Sequence, residues 1–364
     1  MTQDPGLASW LHLTLTPGLG FANLRELLKH FGLPEQVLAR PRSELARVVP
    51  RAALGALDSE GVSQAVTAAL EWAQASGHAV VTLADAAYPK QLLEIPDPPP
   101  LLYANGRLEL LQCPSLAIVG SRNATAQGER NAETFARAFS ENGLCIVSGL
   151  ALGIDAAAHR GGLAGPGSTI AVLGTGVDII YPSRNAALAG EIAKHGLLLS
   201  EFPLGSKAAA HHFPRRNRLI SGLAQGCLVV EAALASGSLI TARASADQGR
   251  DVFAVPGSIH SPLSKGCHAL IKAGAKLVES AEDVIAELSG FRRTGYATTT
   301  SDAPKTQAPE HETLLVHMGF DPVDVDALCT RAGLTAEQVS AELLRLELAG
   351  RVAALPGGLF QRLN

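Results

Sequence analysis

A cluster of arginines near the middle of the chain is the clearest indication of chemistry in this sequence. The cluster lies within residues 211–222, HHFPRRNRLISG, and comprises Arg215, Arg216, Asn217 and Arg218. Lys207 lies just upstream, and positions 202 to 230 contain no acidic residue. Pro214 precedes apolar residues at helical spacing, which predicts that a helix begins here. Guanidinium groups at a helix N-terminus, where backbone N–H groups have no intrahelical partner, are suited to binding phosphate.

Short loops of glycine and hydroxyl residues follow several apolar segments that we predict to be strands. These strands lie near residues 79–83, 116–119, 144–148, 169–173, 197–200, 227–230 and 251–255. They alternate with helical patterns, which indicates a doubly wound, mostly parallel sheet that binds ligands beyond the carboxyl ends of its strands. Besides the cluster and Lys207, the predicted site residues are Gly120, Ser121, Arg122, Gly149, Leu150, Gly237, Ser238, Leu239, Thr241 and Lys265. Together they predict a polar groove of backbone N–H groups with positive charge.

Four parts of the chain separate by pattern. They are a helical N-terminal domain of helix-hairpin-helix or SAM-like type (1–75), an extended Rossmann-like α/β domain (76–289), a flexible linker (290–309) and a winged-helix module (310–364). The glycine hairpin at 16–20 could hold a DNA phosphate or simply join two helices. The second helix of the module, predicted over 336–349, has three glutamates and one arginine. That charge favours protein contact over binding in a DNA groove.

Composition excludes several classes of protein. The chain has 364 residues, 47% of them hydrophobic, a net charge of −4 and no apolar run of 18 residues. With no basic leader at its N-terminus, we expect a cytoplasmic protein without membrane insertion. The five cysteines are far apart and are expected to be reduced. Asp155 and His159 stand four residues apart, but no third ligand follows, so we predict a loop cap and no metal.

Enzymatic alternatives fit the strand-end loops less well. Residues 174–179 lack the third glycine of a dinucleotide-binding loop, and the chain has neither a P-loop nor a GxSxG elbow. A nucleotide-processing hydrolase of the lysine-decarboxylase-like type remains the alternative. Its phosphate loop has an acid/base glutamate where this chain has Arg243. Without that acid or base, binding without catalysis is favoured.

Seven motifs in order resemble the DprA/Smf family of bacterial DNA-processing proteins. They are AIVGSR (117–122), SGLALGIDAAAH (148–159), AVLGTGVDIIYPSRN (171–185), SEFPLG (200–205), HFPRRNRLISGL (212–223), VVEAALASGSLITA (229–242) and VFAVPGS (252–258). One departure is His268, which stands where the family has asparagine.

The resemblance implies a homodimeric single-stranded-DNA-binding protein that protects incoming strands and loads RecA recombinase onto them in natural transformation and repair. Single-strand-binding protein is a further candidate partner, and no cofactor is implied. By motif position, Arg122 and the FPRRNR arginines would contact phosphates, and the loops at Gly149, Gly237 and Ser238 would supply backbone donors.

Three expectations follow for binding. Affinity is largely independent of base sequence and falls steeply with salt. Affinity comes mostly from phosphate contacts, and apolar loop residues such as Leu150 and Leu239 assist. Removing the charge of Arg122 or Arg216 weakens binding without unfolding the protein.

Overall fold

The N-terminal part of the computed structural model, which describes residues 5–288 and 313–363, is helical. Its helices are α1 Pro5–Leu15, α2 Phe21–Phe31, α3 Pro34–Leu38, α4 Arg42–Leu45, α5 Arg51–Leu57 and α6 Glu60–Trp72. Leu13, Leu24 and Leu45 are fully or almost fully buried in a core of their own. The predicted glycine hairpin joins α1 to α2, and Gly18 has the positive φ of 79° that favours glycine there.

A nine-stranded sheet forms the centre of the molecule. Its strands are β1 His78–Thr82, β2 Leu101–Gly106, β3 Ser115–Val119, β4 Cys145–Ser148, β5 Thr169–Val172, β6 Leu197–Ser200, β7 Gly226–Val229, β8 Asp251–Ala254 and β9 Lys276–Leu277. The strand order is β1-β2-β6-β5-β4-β3-β7-β8-β9. From β6 to β9 all neighbours are parallel, whereas β1–β2 and β2–β6 are antiparallel.

Helices cover both faces of the sheet. They are α7 Ala126–Glu141, α8 Ile154–Leu163, α9 Ala186–His195, α10 His212–Leu223, α11 Ser238–Asp247, α12 Lys265–Lys272 and α13 Ala281–Glu287. Alternate residues of β3 enter different cores, with Ala117 in the same core as Leu219 of α10 and Ile118 in that of Phe139 of α7. This burial on both faces explains the continuous apolar runs of the central strands.

The C-terminal module contains α14 Thr313–Met318, β10 Val323–Asp324, α15 Val325–Ala332, α16 Ala336–Leu348, β11 Val352–Leu355 and β12 Leu359–Arg362. Asp324 is the N-cap of α15 and accepts a hydrogen bond from Ala327 N at 2.6 Å. The predicted linker at 290–309 lies outside the described residues, and the division of the chain into four parts stays a prediction.

Each predicted strand of the sheet is present, but β2 and β9 were missed. Strand β2 follows a proline-rich segment and is apolar over only part of its length, and β9 has two residues. Within the described ranges, no helix combines the length and apolarity needed to cross a bilayer.

Candidate nucleic-acid interface

A groove of about 730 Å³ opens where β3 and β7 lie side by side. Strands β4, β5 and β6 lie on one side of β3, and β7 and β8 lie on the other. This is the switch point at which open α/β sheets bind ligands. The predicted site residues that line the groove are Gly120, Ser121, Arg122, Arg216, Asn217, Gly237, Ser238 and Thr241.

Arg122 lies at the rim of the groove and is exposed. Its guanidinium carbon lies 5.6 Å from the centre of the Phe213 ring, a cation–π distance. Among the described residues it has no ion pair with a carboxylate. The loop that carries it is held by Ser121 N, which donates to Glu231 O at 2.7 Å. Arg122 therefore presents an exposed guanidinium without an ion pair on an anchored loop.

Arg216 lies at the floor of the groove and is only 5% exposed. Its Nη1 donates to Gly149 O at 2.6 Å and to Val172 O at 2.5 Å, and its Nε donates to Asn217 Oδ1 at 3.1 Å. A Cβ atom on Gly149 would lie 2.3 Å from Nη1, so only glycine fits against this side chain. Burial lowers the pKa of Arg216 to about 10, while the nearby Asp155 carboxylate acts to raise it.

Buried polar side chains hold the loop that follows β4. Asp155 accepts hydrogen bonds from Gly149 N at 3.1 Å and Ala151 N at 3.4 Å. Leu150 has a positive φ of 56°, which is strained for a leucine. Its N–H donates to His159 Nε2 at 3.2 Å, and its carbonyl accepts from Asn185 Nδ2 at 2.9 Å. This agrees with the predicted loop-capping role of Asp155.

His159 is held as a neutral imidazole in this network. Its Nδ1 lies 2.7 Å from Thr169 Oγ1, which itself donates to Ile146 O, so Nδ1 carries the proton and Nε2 accepts. Burial, together with the positive charges of Arg216 and Arg160, lowers the pKa of His159 to about 3. Among the described residues no group of three metal-ligating side chains occurs.

Arg215 and Arg218 are compensated by a carboxylate. Glu201, whose side chain is 1% exposed, pairs with Arg215 Nη2 at 2.9 Å and with Arg218 Nη2 at 2.5 Å. Arg218 also contacts Asp97. Burial raises the pKa of Glu201 above its ordinary value, although the charges of Arg218 and Arg215 act to lower it. Neither arginine belongs to the groove lining, so their predicted phosphate contacts are not favoured by this geometry.

The loop before α11 forms the opposite wall of the groove. Gly237 is exposed, with open space around it, and Ser236 Oγ lies 2.7 Å from Ser238 Oγ. Thr241 faces the groove but is only 1% exposed.

Two apolar residues expected to assist binding do not reach the surface. Leu150 is fully buried and Leu239 is 5% exposed, because both side chains pack into hydrophobic cores. Ile240, 44% exposed, lines the groove in their place. Its position directly after Leu239 on α11 could have indicated this, since adjacent helical residues point in different directions.

Lys207 and Lys265, the two lysines predicted to belong to the site, are exposed but lie outside the groove lining. Sequence reasoning missed Asn123, Phe213 and Ser236, which line the groove beside predicted residues.

His268 Nε2 lies 3.0 Å from Gly257 O. The histidine that replaces the family asparagine therefore also makes a loop hydrogen bond.

Comparisons with known proteins agree with this architecture. Residues 79–289 match the family model of DNA recombination-mediator protein A, and residues 298–358 match the DprA winged helix domain. Protein Smf of Escherichia coli is 44% identical over 301 residues, which cover 81% of this chain and 80% of that protein.

Two solved structures are also similar. DNA processing protein A of Streptococcus pneumoniae has 39% identity and a TM-score of 0.69, covering 78% of this chain and 99% of that chain. DNA processing protein A of Helicobacter pylori, which has a unique single-stranded DNA binding mode, has 32% identity and a TM-score of 0.52, covering 57% of this chain and 94% of that chain. The chain belongs to the DNA recombination-mediator protein A family, the DprA/Smf proteins.

Proposed function

We propose that this protein binds single-stranded DNA in the groove between β3 and β7 and thereby acts as a recombination mediator. The observation that carries the proposal is the exposed charge of Arg122 beside a groove lined by glycine and serine loops at the sheet's switch point. A relative from Helicobacter pylori that shares this fold binds single-stranded DNA.

The binding mode follows from the chemistry of the lining. Arg122 attracts a phosphate, and the open space around Gly237 lets a sugar–phosphate backbone approach closely. Phe213 and Ile240 offer apolar surface to unstacked bases, which only a single strand exposes. None of these contacts depends on the identity of a base, so binding is expected to be sequence-independent.

Family membership supports finer proposals about partners. We infer that a homodimer of this protein, in the cytoplasm, protects incoming single strands and loads RecA onto them, including strands covered by single-strand-binding protein. The acidic helix α16 supports protein contact over duplex binding for the C-terminal module. Its Glu342 is paired with Arg345 at 2.6 Å, which leaves Glu337 and Glu347 to repel DNA phosphates.

The hydrolase alternative is not favoured. Exposed Arg243 on α11 stands where that chemistry would need a glutamate. The buried acid nearest the groove, Asp155, is engaged by two backbone N–H groups and by the charge of Arg216. We propose that the protein has no catalytic residues, and incubation with nucleoside monophosphates should release no base.

Binding is tested by fluorescence anisotropy with a labelled thymidine oligonucleotide and with a hairpin duplex of equal charge. Tight, salt-sensitive binding of the single strand and much weaker binding of the duplex are expected. Equal affinity for both would contradict the groove as the site.

RecA loading is tested by following RecA filament formation on strands covered by single-strand-binding protein. An unchanged rate when this protein is added would refute that part of the proposal.

A further inference from the structure

Tyr181 is an exposed aromatic residue beside the groove. It is 50% exposed, and among the phenylalanines, tyrosines and tryptophans that the structure describes only Phe320 of the C-terminal module is exposed to a similar degree. The centre of the Tyr181 ring lies 5.7 Å from that of Phe213, at an interplanar angle of 42°. Phe213 lines the groove, so the contact between the two rings extends the apolar surface beyond the groove lining.

The second ring lies on the β5 side of the groove. Phe213 packs on the main chain just beyond β5, because a Cβ atom on Gly174 would lie 2.8 Å from Cδ1 of the phenylalanine. Tyr181 belongs to the same connection, between β5 and α9. The groove opens between β3 and β7, and β5 lies beyond β4 on the other side of β3. The two rings therefore lead out of the groove towards β5.

The turn that carries Tyr181 is anchored on both sides of the tyrosine. Before it, Thr175 Oγ1 donates a hydrogen bond to Ile179 O at 2.5 Å. After it, the buried side chain of Asn185 donates through Nδ2 to Leu150 O at 2.9 Å, in the loop that follows β4. A ring on an anchored turn loses little conformational freedom when a base stacks on it.

An exposed arginine lies on the same turn. Arg184 stands three residues beyond Tyr181, in the short 3-10 helix Ser183–Asn185, and it forms no ion pair within the described ranges. The acid nearest to the tyrosine in sequence, Asp178, accepts hydrogen bonds from Gly205 N at 3.0 and 2.9 Å. The turn therefore combines an aromatic ring with a guanidinium that is available to a phosphate.

We propose that Tyr181 and Arg184 form a second nucleotide subsite, which takes a further unpaired base and phosphate of the strand that occupies the groove. This inference rests on the proposed function. The first subsite has the same composition, since the guanidinium carbon of Arg122 lies 5.6 Å from the centre of the Phe213 ring. An aromatic ring stacks on any base, so the second subsite adds affinity without adding sequence preference. A longer strand engages both subsites at once, which a mononucleotide cannot do.

The test measures binding of thymidine oligonucleotides of increasing length by fluorescence anisotropy, with the full-length protein and its variants. Tyr181→Ala is expected to bind long oligonucleotides about tenfold less tightly than the parent protein. The shortest oligonucleotides, which fill only the groove, should bind both proteins equally. Tyr181→Phe keeps the ring and should bind like the parent protein. Phe320→Ala removes the other exposed ring and is the matched control, with no expected change.

Two further variants give independent signals. Arg184→Gln should reduce the slope of log affinity against log salt concentration by about one for long oligonucleotides. Its position is exposed, so it keeps the proposal testable if Tyr181→Ala does not fold. Tyr181→Trp places an indole on the turn, and stacking of a base should quench its fluorescence. The parent protein, which has only Trp10 and Trp72, gives the background.

Three results would overturn the proposal. The first is a folded Tyr181→Ala or Arg184→Gln protein that binds long oligonucleotides as the parent protein does. The second is a loss of the same size at every length, which would mean that Tyr181 acts through the groove. The third is a Tyr181→Trp protein whose fluorescence responds to DNA no more than that of the parent. The proposed function fails separately, if the parent protein binds no oligonucleotide or if Arg122→Ala leaves binding unchanged at every length.

Discussion

The loop after β3 and the first turns of α10 both carry arginines, but the surroundings of these arginines differ. Arg122 is exposed at the groove rim, stacked against Phe213 and unpaired with any carboxylate in the described residues. On α10, Arg216 is buried against backbone carbonyls, while Arg215 and Arg218 share Glu201. The run of arginines that dominates the sequence therefore contributes mainly to the architecture of the site.

The difference teaches that charge counted along a sequence is not charge available to a ligand. Glu201 lies directly before the acid-free stretch of the chain, yet the fold brings its carboxylate to within 3 Å of two arginines of that stretch. An exposed, uncompensated guanidinium attracts phosphate through solvent, whereas a paired one is already partly neutralised. Four predictions test this contrast, in order of decreasing effect.

Arg216→Met should destabilise the protein by about 3–5 kcal/mol, because it leaves the buried carbonyls of Gly149 and Val172 without their donor and removes the positive charge near the buried Asp155. This differs from the sequence-based expectation that Arg216 can be changed without unfolding. Urea unfolding provides the measurement, and Arg122→Met is the matched control with a change below about 0.5 kcal/mol. If both variants were equally stable, the contrast between the two regions would be lost.

His159 should make the loop after β4 sensitive to acid. Its pKa is about 3 in the folded protein against an ordinary value of 6.5, so the unfolded chain binds the extra proton between these values. Stability therefore falls as the pH falls through that window, by about 2 kcal/mol between pH 6.5 and 5. His159→Gln should show a shallower slope in thermal unfolding over this range. An identical slope for the variant would contradict a buried neutral imidazole.

Arg122→Ala should weaken binding of a single strand about tenfold. It should also reduce the slope of log affinity against log salt concentration by about one, as expected for the loss of one phosphate contact. Its stability should be unchanged, because the side chain is exposed. Arg137→Ala on the outer face of α7 serves as the control, since it removes an exposed arginine remote from the groove. Anisotropy titrations at several salt concentrations would decide, and equal losses for both variants would indicate a merely nonspecific charge effect.

Arg215→Gln should have the smallest effect, a loss of binding below about threefold, because Glu201 already compensates its charge. Binding of the single strand is measured by the same anisotropy titrations. A loss as large as that of Arg122→Ala would mean that DNA displaces Glu201 from Arg215, and the two regions would then act alike.

Much of this molecule could be predicted from its sequence. The family is confirmed by the matches to the recombination-mediator and winged-helix models, and the doubly wound sheet is confirmed by the solved relatives. Apolar runs, glycine loops and motif order are local properties, so they can be read directly. Strand β2 was missed because only part of its length is apolar and a proline-rich segment precedes it, so the local pattern does not distinguish it from a loop.

The sequence alone determined which types of residue lie at the groove and that they follow the ends of strands. Tertiary packing decided which of them face solvent. Leu150 and Leu239 turn inward, whereas Ile240 and Phe213 line the groove. Glu231 accepts hydrogen bonds from Thr125, the N-cap of α7. The physical reason is that exposure and charge compensation depend on distances through space. Glu231 and Thr125 are more than a hundred residues apart in sequence, yet two hydrogen bonds join them in the fold.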